Sequence, residues 1–97
     1  MSDDLQLQIA DNPSASQFEA TVDGRVVALA AYELRPGRIV FTHTEVADDY
    51  EGKGVGSALV REALRQAAER GLQIVPRCPF VADYLRRHPE VLSAHAG

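Results

Sequence analysis

The chain has one cysteine, Cys78, so no internal disulfide can form. Small secreted domains commonly depend on such staples, and a lone thiol points to a reducing compartment. No apolar run approaches the ~20 residues of a membrane span, so no membrane partner is expected. The opening stretch, MSDDLQLQIADNP, lacks the basic start and apolar core of a secretion signal. A cytoplasmic protein is the expectation. Basic side chains are missing up to Gly24, where Asp3, Asp4, Asp11, Glu19 and Asp23 stand alone. Across the chain 10 Lys and Arg face 14 Asp and Glu, a net charge of -4. A nucleic-acid binder needs a basic stripe to displace counterions, so that class is set aside. His43, Cys78 and His88 do not have metal-site spacing, and no metal is expected.

What is present is ordinary for a globular protein: 97 residues, 45% hydrophobic and 25% charged. That length makes one domain over residues 1–97, too small for a large catalytic barrel or a full dinucleotide-binding fold. Positive charge is biased toward the C-terminal part. From Arg61 onward Arg61, Arg65, Arg70, Arg77, Arg86 and Arg87 outnumber Glu62, Glu69, Asp83 and Glu90, which favours an anionic small molecule there.

Leu5, Leu7 and Ile9 alternate as in a short edge strand that Asn12 and Pro13 end. Phe18, Ala20 and Val22 alternate again before Asp23-Gly24, a hairpin signal. VVALAAYEL is too continuously apolar for one wet face and reads as a central strand. Pro36-Gly37 turns the chain into RIVFTHTEV. Leu59, Ala63 and Ala67, with Val60 and Leu64 beside them, form the apolar face of a helix, and Gly71 suits its C-terminal cap. LQIV is a short strand closed by Pro76, and a second helix is predicted from Pro79 to about Arg87, stopped by Pro89. Residues after Leu92 read as a frayed end. The order is β-β-β-α-β-α with one further edge strand at the start, an α+β mixed sheet covered by helices.

The sharpest local feature is Glu51-Gly52-Lys53-Gly54-Val55-Gly56-Ser57, between a strand and the strong helix. Glycines permit a tight turn, and the first amides of a helix lack internal partners, so such a turn is suited to a pyrophosphate. Lys53 or Arg77 would add charge. Neither the nucleotide-hydrolase P-loop nor G-x-G-x-x-G is matched, because Gly54 follows Lys53 and the three glycines are spaced by two. A plain strand-to-helix connection is the alternative.

This stretch resembles the acyl-CoA-binding motif of the GNAT acetyltransferase superfamily, [QR]-x-x-G-x-[GA], read here as Glu51-Gly52-Lys53-Gly54-Val55-Gly56 with a departure at Glu51. The string VPRCPFVADYLRRHPE, from Val75 to Glu90, is similar to that of the small YjdJ-type, or NATD1-like, acetyltransferase-domain proteins. The recognisable core covers about residues 15–92. The resemblance implies a compact, curved mixed sheet that splays between the strand ending near Val46 and the strand at Leu72–Val75. Acetyl-CoA, or coenzyme A, would enter that gap, with its pyrophosphate on the amides of Lys53–Ser57 and its pantetheine arm on the backbone near Glu45 and Val46. The superfamily's two acceptor-site helices are replaced by hairpins, and its final strand pair is missing. A partner protein would complete the acceptor side, or that side is absent.

Cys78 precedes Pro79 and so falls at a helix N-cap, where the dipole and Arg77 favour a nucleophilic thiolate able to carry an acyl group; an inert buried cysteine is the bland reading. His43 and Glu45 alternate on one strand face and could share a cleft, either of them deprotonating an amine. Val40, Thr42, Thr44 and Val46 alternate opposite, and a bulge there would change which groups face inward. The resemblance puts Tyr84 where a phenol protonates the departing thiolate, against a simply packed tyrosine. His88 reads as a helix-end cap. The implied function is transfer of acetyl from acetyl-CoA to a primary amine, on a small molecule or a protein. The alternative is a non-catalytic CoA-binding or protein-interaction module.

Overall fold

The computed structural model describes residues 6–93. Five strands form one sheet in the order β1 (Gln8–Asn12), β2 (Gln17–Val22), β3 (Arg25–Arg35), β4 (Arg38–Val46) and β5 (Gln73–Pro76). The helices are α1 (Val55–Glu69), α2 (Pro79–Arg87) and α3 (Glu90–Ser93). β1 to β4 make an antiparallel meander, and β5 lies parallel to β4. A parallel neighbour needs a crossover connection, which α1 supplies. No described helix is long and apolar enough to cross a membrane.

The turns follow from local chemistry. Asp23 (φ 51°) and Gly24 (φ 81°) both sit in the left-handed region, the signature of a two-residue type I′ hairpin. Pro36 followed by Gly37 at φ 75° has the pattern of a type II turn. The edge strand begins at Gln8, and Leu5 lies outside the described residues, as do residues 94–97 of the expected frayed end. Pro89 stops α2, yet the short α3 starts at the next residue, which the sequence reading does not include; proline is compatible with a helix that starts immediately beyond it.

Leu59, Val60, Ala63, Leu64 and Ala67 of α1 are all buried, against Phe18, Tyr32, Ile39 and Phe41 from the sheet. The helix closes in a Schellman motif: Leu72 N donates to Ala67 O and Gly71 N to Ala68 O, with Gly71 at φ 73°. Val81 and Tyr84 of α2 join the same core, so both longer helices pack on one face of the sheet. The reading that β3 is too apolar to have one wet face is corrected, while its place inside the sheet between β2 and β4 stands. Its continuous apolar run has another cause: β2 and β3 shift register between Ala20 and Thr21, leaving Val27 as an extra residue. Val27 and Ala28 are then both buried, while Leu29 and Ala31 on the uncovered face are half-buried.

One polar cluster pins β1 to this core. The Tyr32 hydroxyl donates to Asp11 Oδ1 (2.6 Å), and Arg70 donates to Asp11 Oδ2 (2.9 Å) while its guanidinium lies 5.9 Å from the Phe18 ring centroid. Burial, helped by the Asp11 hydrogen bond, pushes the Tyr32 phenol up to about 12 from 10.0. Between those values the folded state holds a proton that the unfolded chain releases, so stability falls as pH rises. The contribution is complete below pH 10 and lost through pH 12. Thermal melts across this window are expected to show a steeper loss in the wild type than in Tyr32→Phe; parallel slopes would contradict the assignment.

Candidate functional site

The site begins where β4 and β5 separate. Their last paired positions are Phe41 and Pro76. The Phe41 carbonyl then accepts from both Arg77 N (3.0 Å) and Cys78 N (2.9 Å), which ends the ladder. Cys78 is the N-cap of α2 and Pro79 its first residue, so the chain turns into a helix instead of continuing beside β4. Thr42–Val46 is left with a strand partner on the β3 side alone among the described residues.

A bulge decides what points into this fork. Tyr32 pairs with Phe41 and Ala31 with His43, so Thr42 is the extra residue. The strand's parity reverses there. Ile39 and Phe41 face the helices before the bulge, and Thr44 and Val46 do so after it. His43 and Glu45 fall on the uncovered face together with Val40, correcting the uninterrupted alternation read from the sequence. They form a pair, His43 Nε2 to Glu45 Oε2 at 2.7 Å, with both side chains more than half exposed.

On the helix side lies a groove of about 450 Å³, lined by Thr44, Val46, Tyr50, Gly54, Gly56 and Phe80 among others. Its rim is the glycine loop, held from outside by Arg25, which donates to both Asp49 oxygens (2.9 and 3.0 Å) and lies over the Tyr50 ring. The Arg25 hydrogen bond holds the Asp49 carboxyl below its ordinary range. Gly52 and Gly54 both have φ 79°, and Gly54 is the N-cap of α1 with no side-chain cap. The first helical bond at this end is Ala58 N to Gly54 O (3.0 Å). The amides of Gly52, Gly54, Val55, Gly56 and Ser57 therefore have no backbone acceptor among the described residues. Gly56 permits a close approach: a Cβ there would stand 2.8 Å from Phe80 Cζ and 3.1 Å from Val46 Cγ2.

Of the residues singled out in the sequence, Val46, Glu51, Gly52, Gly54, Val55, Gly56 and Ser57 line this groove. Lys53 is exposed and outside the lining. Cys78 is 3% exposed at the apex of the fork, its Sγ 3.2 Å from Thr44 Oγ1. Arg77 opens onto a cavity on the uncovered face instead. Tyr84 lies on the buried side of α2, stacked on His88 with ring centroids 4.5 Å apart, and borders a separate cavity with Arg61. Burial pushes its phenol up, Arg61 opposes this and Glu90 adds to it. His88 is the C-cap of α2. Thr44, Tyr50 and Phe80 were not picked out as site residues. Thr44 needed the bulge to be known, whereas Phe80 lies within the Val75–Glu90 string that carries the resemblance and Tyr50 immediately precedes the glycine motif.

A sheet forked beside an uncapped, glycine-bordered helix is the fold that the resemblance to acetyltransferases implies. The chain belongs to the GCN5-related N-acetyl-transferase family, whose model matches residues 17–94. Among curated relatives it is similar to Protein NATD1 of Gallus gallus, 32% identical over 87 residues, covering 86% of this chain and 77% of that protein. Protein NATD1 of Mus musculus is 31% identical over the same shares. Among solved structures, a ribosomal-protein-alanine N-acetyltransferase from Brucella melitensis biovar Abortus 2308 matches with a TM-score of 0.55 and 25% identity, over 77% of this chain and 59% of that one. The ribosomal-protein-S18-alanine N-acetyltransferase from Escherichia coli matches with the same score and identity over 58% of this chain, which spans 36% of that structure.

The Gly56–Phe80 contact yields a stability test. Gly56→Ala is expected to cost less in a Phe80→Ala background than alone, with a coupling of at least about 0.5 kcal/mol in urea denaturation. Additive effects would mean the ring does not rest on Gly56.

Proposed function

We propose that this chain binds acetyl-CoA in the fork and transfers its acetyl group to an amine. The observation that carries the reading is the set of amides at Gly52 and from Gly54 to Ser57, without a backbone acceptor among the described residues, bordering a groove that runs to a strand edge unpaired among those residues. Amides at a helix N-terminus suit a pyrophosphate, and a strand edge suits the amide groups of a pantetheine arm. The residues present fit the cofactor with one discord, because Glu51 puts a carboxylate on the groove lining.

When bound, acetyl-CoA supplies an activated acetyl thioester. The protein contributes position first, holding the reacting groups at the fork. His43, oriented by Glu45, takes the proton of the incoming ammonium. The Thr44 hydroxyl and the Cys78 thiol, together at the apex, are the groups placed to return a proton to the departing sulfur. Direct transfer fits a thiol that is 3% exposed. A second reading, a CoA-binding module without turnover, draws support from the absence, among the described residues, of any α-helix between β1 and β4 to shape an acceptor site.

Calorimetry with acetyl-CoA, followed by CoA release in the presence of an amine panel, tests both. Saturable binding is expected, weakened about tenfold by Gly54→Ala, which strains a φ of 79° and turns the amides away. Glu51→Gln is expected to tighten binding a few-fold by removing the opposing charge. No binding at about 1 mM overturns the proposal. Binding without release supports the module reading. An acetyl adduct on the intact chain that Cys78→Ala abolishes replaces direct transfer with a route through Cys78.

A further inference from the structure

The uncovered face of the sheet carries a cavity of about 540 Å³ that the cofactor reading leaves unused. It spans β3, β4 and β5, with Val40, Thr42 and Val75 in its lining and Glu33, Arg35, Arg38 and Arg77 supplying its charges. Arg35 is engaged by Glu33 at 2.7 Å. Arg38 and Arg77 have no carboxylate within 4.0 Å among the described residues, so two guanidiniums remain for a ligand. Register places them apart along the sheet: Arg38 lies opposite Gln73, and Arg77 follows the last β4–β5 pair at the apex of the fork.

We propose that this face is the acceptor site and that Arg38 and Arg77 select a small amine that carries a carboxylate, an amino acid or close analogue. The inference rests on the acetyl-transfer reading for the role of the amine, and on the face alone for the anion. Charge is graded across the face. The free arginines stand at the fork apex, where Arg77 follows β5, and behind it, where Arg38 of β4 is still paired with β5, while Glu45 and, on β2, Glu19 stand toward the open side. A zwitterion therefore lies with its carboxylate on the guanidiniums and its ammonium toward the His43–Glu45 pair, which is on the same face just past the Thr42 bulge. Arginine suits this task because its planar fork meets a carboxylate bidentately. The cavity is of a size that holds a small metabolite.

The same reasoning moves Arg77 from the cofactor to the acceptor. Its neighbour Cys78 looks into the fork from the helix side, and the two adjacent residues thus address opposite faces of the sheet.

The test uses the full chain, with glutamate as the probe and butylamine as the comparator lacking a carboxylate. Amide resonances of β3, β4 and β5 are followed by NMR, and acetyl-CoA affinity is measured on the same samples. Glutamate is expected to shift Arg38, Thr42, Val75 and Arg77 saturably, and butylamine is not. Arg38→Gln and Arg77→Gln should each weaken glutamate about tenfold, the scale of one charge-assisted hydrogen bond. Arg38→Gln should leave acetyl-CoA affinity and the melting temperature unchanged, and Arg38→Lys should restore part of the glutamate affinity. Glutamate binding here without acetyl-CoA binding would keep the anion site and remove the acceptor role, thereby overturning the proposal as a statement about catalysis. Acetyl-CoA binding with turnover of butylamine equal to glutamate, or glutamate shifts unaffected by either substitution, overturns it outright. A fall in acetyl-CoA affinity on Arg77→Gln with glutamate binding unchanged returns Arg77 to the cofactor and also overturns it.

Discussion

One carbonyl sets the geometry on which the site depends. Phe41 O takes both Arg77 N and Cys78 N, and after that double acceptance β5 has no further donors to offer β4. Proline at position 79 lacks an amide hydrogen, so the ladder could not resume there even if the chain stayed in line. The consequence is a fork whose depth is set by the sequence at a single junction, Pro76 to Pro79. The apex holds Thr44 and Cys78, and the groove opens from it toward the glycine loop.

The bulge at Thr42 acts on the same strand with a different result. Without it, His43 and Glu45 would face the helices and Thr44 would point away. With it, the fork has a polar group at its apex and an apolar wall at Val46, while the titratable pair is delivered to the uncovered face. Cofactor groove and charged face are thus two sides of one strand, and the shift between them is one residue long. A small chain gains two chemically distinct surfaces this way without an added layer of structure.

Much of this was legible in the residues. The Asp23-Gly24 and Pro36-Gly37 turns, the apolar face from Leu59 to Ala67, and the second helix from Pro79 to Arg87 all follow from local chemistry, and they appear where that chemistry puts them. The glycine loop was readable for the same reason, since positive φ at Gly52 and Gly54 is a property of the residue type. The facing of His43, Thr44 and Tyr84 was not readable. A bulge is a mismatch between two strands, and neither strand alone records it. Tyr84 lies one turn along α2 from Phe80 on the same face, yet Phe80 borders the groove and Tyr84 the cavity beside α1; helical periodicity gives the shared face but not where along it the fork ends. The uncovered face was missed because continuous apolarity in β3 arises in part from Val27 turning inward.

The Asp11–Arg70 contact joins residues 59 apart in the chain. The hairpins of the meander join neighbours in sequence, whereas this bond requires the C-terminal end of α1 to lie against β1. Closing so long a loop carries an entropic cost that early structure does not repay. The first strand is therefore held twice, by its local hairpin with β2 and by a clasp that spans most of the chain, and only the second of these depends on α1 lying across the sheet.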